Sequence, residues 1–303
     1  MALEVGTHVL ARYIPEVTWG TTPATPTMQA LRVTSVTPKY SRTTVQSKEL
    51  TTAGEIQDYI RTKEGGGLAF NFEMSYGNLD DILSGLWGAA WATNVLKVGN
   101  TRESMSFELG FSGINQFALY KGAMWKTLAL SVVKGQVVSG SAEFVSQPCV
   151  WSATTAATSV TAVETNGIMD PIAGFQSMAV ASVAVDGPQE WTLSVTRNLI
   201  EFDQLGSLQL ADLQLGQFVA TGTIKQYFKD RTNIDLAAAY SDNAVAVSIG
   251  GASTLKYDFL FNKTKLTLSN IANLVVNGAA VVELAYECKT DPTNSTAQVT
   301  RHP

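Results

Sequence analysis

Histidine is almost missing from this sequence: His8 and His302, one near each end, are the whole supply. A Ser-His-Asp or Cys-His nucleophile would have to recruit one of them, and neither has an obvious partner nearby in sequence. Ligand clusters with metal spacing are missing too. Gly65-Gly66-Gly67 lacks the Lys-Ser/Thr that must follow in a phosphate loop. The adjacent carboxylates Asp80-Asp81 fit helix capping better than acid–base work. The sequence therefore offers no catalytic residue, no cofactor site and no metal site, and predicts a protein that is not an enzyme. Cysteine is as scarce. Cys149 and Cys288 cannot make a disulfide scaffold and are expected to be free thiols. The opening residues Met1-Ala2-Leu3-Glu4-Val5-Gly6 lack the basic start and apolar run of an export signal, so a reducing cytoplasm is expected. No run reaches the ~20 apolar residues of a membrane helix. Alternating strands alone would also suit an outer-membrane barrel, but long, evenly spaced lipid-facing strands are missing.

Charge is the other shortage. Only 16% of residues are charged, against 45% hydrophobic. A soluble monomer usually covers itself with more charge, so part of this surface is expected to lie against other subunits. The balance of 21 basic to 26 acidic residues argues against nucleic-acid binding through a basic patch.

What is present is alternation. Leu68, Phe70, Phe72, Met74 and Tyr76 share one face of an extended chain. After Gly77 the period changes, and Leu79, Ile82, Leu83, Leu86 and Ala90 follow helical spacing. Asn78 reads as the N-cap, with Asp80 and Asp81 in the first turn. Gly85 and Gly88 each cost such a helix about 1 kcal/mol, so it is expected to be short and held by packing.

Before this stretch, the first 30 residues read as an arm. Val9 to Tyr13 is a candidate strand, followed by Pro15, Gly20, Pro23 and Pro26, which forbid a regular ladder. Trp19 reads as an exposed anchor for a neighbouring subunit. Leu31 to Tyr40 alternates as a strand. From Ser41 to Gly67 periodicity fades and Lys48, Glu49, Glu55, Asp58, Arg61 and Lys63 concentrate charge. Two readings are open there, a mobile surface loop or an arm that orders on a neighbour. Later strands are expected over Ser104–Phe111, Gln116–Gly122, Met124–Val133 and Val137–Val145. Residues 148–174 break the pattern with small, nearly chargeless residues. Strands resume over Gln176–Val185, Glu190–Leu199, Phe218–Tyr227, Ala244–Gly250, Thr254–Phe261, Lys265–Leu268 and Ala279–Cys288.

The second half echoes the first. Leu128, Leu130, Val137, Val138, Gly140 and Ala142 recur as Leu266, Leu268, Val275, Val276, Gly278 and Ala280, at one constant offset. Leu68 to Tyr76 matches Phe218 to Tyr227, each followed by a short helix, Asn78–Trp87 and Thr232–Tyr240. A duplication is inferred. The domains are residues 1–148 with the arm, 149–174 as linker or surface excursion, and 175–303 with the tail. The fold class is mainly β with short helices (α+β): two tandem β-sandwich or barrel domains, each with a flanking helix.

Glu16-Val17-Thr18-Trp19-Gly20-Thr21-Thr22-Pro23 resembles the opening of siphophage (long non-contractile tail) major tail tube proteins. So does the strand ending Tyr76-Gly77, the Asp-bearing helix and the run from Phe107. Gly206, Gly222 and Tyr227-Phe228-Lys229-Asp230 resemble the family's second-domain pattern, and the likeness spans roughly residues 4–290. It implies a structural virion protein whose rings stack into a hollow tail tube that conducts DNA without binding it specifically. Assembly would take place in the bacterial host cytoplasm, with no membrane insertion. A tape measure protein and a tail terminator are the further partners the resemblance implies. A capsid decoration protein or a tail terminator is the alternative role. Two domains per chain imply trimeric rings of pseudo-sixfold symmetry, the alternative being hexameric rings with the second half outside the wall. The candidate inter-subunit residues are Trp19, Lys48, Glu49, Glu55, Asp58, Arg61 and Lys63.

Overall fold

A computed structural model describes residues 5–50 and 52–303. The first half runs β1 (Val9–Pro15), β2 (Thr27–Ala30), β3 (Ser35–Gln46), β4 (Tyr59–Glu73), α1 (Asp80–Trp87), β5 (Val95–Lys97), β6 (Met105–Phe111), β7 (Gln116–Val133) and β8 (Ser139–Ser146). Two short strands follow, β9 (Val150–Ser152) and β10 (Ser159–Thr161). The second half runs β11 (Phe175–Val180), β12 (Val183–Ala184), β13 (Pro188–Phe202), β14 (Asp212–Tyr227), α2 (Thr232–Ala239), β15 (Asn243–Gly250), β16 (Lys256–Ala272), β17 (Val281–Cys288) and β18 (Gln298–His302). The chain is mainly β with short helices, as the alternation predicts.

Pairing gives the same order twice. In the first half β1 pairs β6, β6 pairs β7, β7 pairs β8, β8 pairs β4 and β4 pairs β3. In the second half β11 pairs β15, β15 pairs β16, β16 pairs β17, β17 pairs β14 and β14 pairs β13. All of these pairs are antiparallel. The halves join where β13 pairs β7, with Leu193 opposite Leu130 and Val195 opposite Leu128. The result is one eight-strand sheet in the order β3-β4-β8-β7-β13-β14-β17-β16.

One face of that sheet is apolar because period-two residues of every strand point the same way. Leu68, Phe70 and Phe72 of β4, Leu128 and Leu130 of β7, and Leu193 and Val195 of β13 are all buried. The long strands β7 and β16 run on past the sheet, so that their first residues pair with β6 and β15 instead. The core lies between these layers. Phe144 of β8 meets Phe107 of β6 at 5.0 Å between ring centroids, and Trp125 stands edge-on to Phe144 at 5.7 Å. In the second half Trp191 of β13 packs on Phe259 of β16, also at 5.7 Å but tilted at 45°. Gly140 faces Leu130 across the ladder, and a Cβ there would press on the Ala129 carbonyl and lie 2.7 Å from Phe72. The aromatic packing therefore needs glycine at that position.

Several expectations change. Ser41–Gly67 is not a loop. Arg42 pairs with Glu64 and Val45 with Ile60, so β3 and β4 continue as a long hairpin, and only residues 47–58 connect them. Its outer part is exposed on both faces, which erases the alternation that would have revealed it. The strand expected over Leu31–Tyr40 starts later, at Ser35, and runs on to Gln46. Gln116–Gly122 and Met124–Val133 are one strand, β7, as Thr254–Phe261 and Lys265–Leu268 are one strand, β16. Asn78 does not cap α1. Leu79 holds the N-cap position with no side-chain cap, while the Asn78 Oδ1 accepts the Arg32 N–H at 3.3 Å. The offset that joins Leu130 to Leu268 does not join Gly140 to Gly278. Leu284 faces Leu268, because the turn between β16 and β17 is longer than that between β7 and β8. Gly278 sits in that turn, its N–H on the Val275 carbonyl at 2.9 Å.

Candidate assembly surfaces

Three features of this fold can meet other molecules: two sheet edges, one open sheet face and a pair of hairpins. The edges come first. Among the described residues β3 pairs only with β4, and β16 from Lys265 to Ala272 pairs only with β17. Both edges therefore present a free row of peptide groups, which is a template for another strand. Pro38 interrupts the β3 row, the place where an edge strand tolerates proline.

The open face is the reverse of the apolar one, and its rows run across the whole sheet. One row reads Ser35, Asn71, Ser141, Ala129, Ser194, Thr221, Glu287, Lys265. The next reads Glu73, Ser139, Ser131, Thr192, Thr223, Ala285, Thr267. Small hydroxyl side chains dominate. The acids on this face are Glu73, Glu143, Glu190, Glu283 and Glu287, and the bases are Lys39, Lys225 and Lys265. Each lysine is spoken for: Lys39 lies 2.6 Å from Glu143, Lys225 2.8 Å from Glu190, and Lys265 2.9 Å from Asp242. These three lysines therefore offer a polyanion no unpaired charge.

The hairpins lie side by side. Lys63 of β4 donates to Glu201 at 2.6 Å and to Asp203 at 3.0 Å, at the end of the β13–β14 hairpin. Burial opposes the Lys63 charge, but the two carboxylates outweigh it and raise its pKa. Exposed apolar side chains stand among the charges near both tips: Leu50, Ile56 and Tyr59 on one, Phe202 and Leu205 on the other.

The junction of the halves is built from α1 outward. Trp87 packs edge-on against Phe218 of β14 at 5.3 Å. Asp80 accepts the Tyr257 hydroxyl at 2.6 Å and pairs with Arg301, while Asp81 accepts the Tyr13 hydroxyl at 2.7 Å. Asp80 and Asp81 thus serve more than the helix dipole, since they tie α1 to both halves. Burial first, then these carboxylates, push both tyrosine pKa values far up. Arg197 crosses the junction as well. It is buried, donates to the Gly99 carbonyl at 2.7 Å and the Asn100 Oδ1 at 2.9 Å, and burial lowers its pKa.

A family model described as phage tail tube protein matches residues 6–290. The chain belongs to the phage tail tube protein family. No curated protein matches the sequence. Membership makes the protein a structural, non-enzymatic component of the phage tail, which agrees with the shortage of catalytic residues.

The expected contact residues fall in two places. Lys48, Glu49, Glu55, Asp58 and Arg61 are exposed on the outer β3–β4 hairpin, and Lys63 is half-buried at its root. Arg61 bridges Glu64 at 3.0 Å within the hairpin. Trp19 is elsewhere and is not exposed: it packs within its own chain against Met124, Leu210 and Leu213. The anchor for this segment is Glu16. Its carboxylate accepts Gly20 N–H and Ser104 Oγ, both at 2.8 Å, on one oxygen, and Ser106 Oγ at 2.7 Å and Gly122 N–H at 2.9 Å on the other. The sequence showed Glu16 as part of a motif but gave no sign that four donors from three segments converge on it. His302, read as lacking a partner, lies 2.7 Å from Asp258. Sequence reasoning missed the two open edges altogether, because edge status depends on the order of all the strands.

Proposed function

We propose that this protein forms the hollow tail tube of a siphophage as stacked rings of three chains, each chain supplying two equivalent wall segments. The observation that carries this is the eight-strand sheet, made of two four-strand units of the same order and open at both ends. The halves, residues 1–148 and 175–303, act as tandem tube domains, and 149–174 is a surface excursion between them. Three such sheets joined edge to edge close into one continuous barrel. Head-to-tail closure needs two different faces on each unit. Fusing two units makes half of those contacts intramolecular, which raises their effective concentration.

In this ring the hydroxyl-rich open face lines the channel. Five glutamates against three paired lysines give the wall a net negative charge, and DNA passes it without specific binding. The paired hairpins, with Lys48, Glu49, Glu55, Asp58 and Arg61 outermost, reach the next ring in the stack. Trp19 contributes least there, because its own chain already holds it. The tape measure protein in the channel and a tail terminator at the end are the further partners, and assembly takes place in the host cytoplasm.

Electron microscopy of the purified protein, reconstructed without imposed sixfold symmetry, tests this. The expected result is a tube whose rings hold three chains with both halves in the wall and acidic side chains inside. Six chains per ring, or a channel lined mainly by lysine and arginine, would overturn it. Capsid-decorating particles or short end caps in place of tubes would point to the other virion roles.

A further inference from the structure

One interface between wall segments is already visible inside the chain, and both of its halves recur unpaired outside it. In the internal interface β7 receives β13, and Leu130 lies 1% exposed beneath Leu193. The position matching Leu130 in the second half is Leu268. Each lies in the strand that pairs the last strand of its unit, and each faces that strand two residues beyond a buried leucine, Leu128 or Leu266. Yet Leu268 is 38% exposed, since among the described residues no strand pairs with the outer side of β16 there. The strand matching β13 in the first half is β3. Val36 faces Phe70 of β4 as Leu193 faces Gly222 of β14. Its far side is open.

We propose that the outer edge of β16 receives β3 of a second copy of this chain, in the register that β13 takes on β7. This rests on the tube reading above and adds the residue pairing to it. Transferring the internal register puts Val36 of the second copy opposite Leu268, Thr37 opposite Thr267, Pro38 opposite Leu266 and Lys39 opposite Lys265. Val36 then covers the exposed leucine as Leu193 covers Leu130. A slip of one residue would turn every side chain to the wrong face, so the apolar pattern fixes the parity. The two lysines arrive with their own counter-ions, Lys39 with Glu143 and Lys265 with Asp242, and Glu287 stands opposite Lys265. Pro38 has no N–H to give, so the ladder lacks one donor there. That gap keeps β3 from pairing freely with any passing edge.

Helix α2 supports the same contact. In the internal interface α1 lies beneath the joined strands and is almost wholly buried. In α2 only Ala237 is buried, and Tyr240 just after it is 58% exposed. A second copy's β3 on β16 would cover this side.

The test is disulfide trapping in the full-length chain. Thr37→Cys with Thr267→Cys places two thiols opposite each other on the open face, away from the core. After assembly and mild oxidation, a non-reducing gel should show most chains linked, in a ladder that ends at a closed ring. Thr37→Cys with Ser269→Cys, shifted by two residues, should link far less, and neither single variant should link. If rings or tubes are seen but the shifted pair links as well as the matched one, or a single variant links to itself, the register is wrong while the tube reading stands. If the unaltered chain forms no ring or tube under the microscope, the tube reading falls and this pairing falls with it.

Discussion

Leu130 and Leu268 hold the same place in two copies of one strand arrangement, and they live in different surroundings. Leu130 has Leu193 across the junction and Gly140 opposite, and is sealed. Leu268 has Leu284 on one side and, among the described residues, no paired strand on the other. The helices show the same asymmetry: α1 is buried under both halves, α2 under one. The difference teaches that the first half is finished by the second, and the second is left unfinished. An unfinished apolar edge is a liability in a monomer and an instruction in an assembly.

The sharpest way to break this comparison is to put one charge at both places. Leu130→Asp buries an unpaired carboxylate between strands, at a cost of about 4 kcal/mol or more. That is a large part of a domain's stability, and the variant should be unfolded or aggregated by circular dichroism at 25 °C. Leu268→Asp sits at an open edge and should cost the monomer under about 1 kcal/mol. It should keep the parent's spectrum and melting curve yet form no tubes. If Leu268→Asp polymerises normally, the edge is not an interface.

A smaller effect separates the helices. Trp87 is fully buried and packs across the junction onto Phe218, so Trp87→Ala should lose about 3–5 kcal/mol. In α2 the half-buried Leu236 has no such partner, and Leu236→Ala should lose about 1 kcal/mol. Urea titrations of both variants measure this. Equal losses would mean that α2 is as well anchored as α1, against what its exposure implies.

How far the sequence made these features legible depends on burial. The strand from Leu68 to Phe72 and the helix after it were readable, because one face of each is buried and the period shows. The same strand β4 was unreadable from Tyr59 to Lys63, where both faces meet solvent and composition looks like a loop. The repeat was legible in β7 and β16, whose matching leucines keep their spacing, and it slipped at the following turn, where nothing but loop length sets the count. Trp19 was misplaced because its pocket is made by residues 124, 210 and 213, far away in sequence. The acids of the open face were visible as composition only. Their convergence on one surface follows from register, which no local pattern reveals.

The smallest expected effect concerns Asp242, whose neighbours exist in one half alone. Lys289 and Lys265 donate to it, and these bonds hold its pKa down to about 2, below the ordinary carboxylate value near 3.9. A carboxyl depressed by folding adds stability that is fully present above the unfolded value and is lost as pH falls through about 2. The positions matching Lys265 and Lys289 in the first half are Thr127 and Val145, which carry no charge. Acid should therefore loosen the β16–β17 pair before it loosens β7–β8. Asp242→Asn should melt slightly lower than the parent at pH 7, with the gap closing toward pH 2. Because Asp242 and both lysines reach solvent, 1 M salt should shrink the gap at every pH. Thermal melts across that pH range at low and high salt decide the matter, and amide exchange in β17 locates the change. A gap that stays constant with pH would show that the substitution acts through packing and that the lysines do not distinguish the two halves.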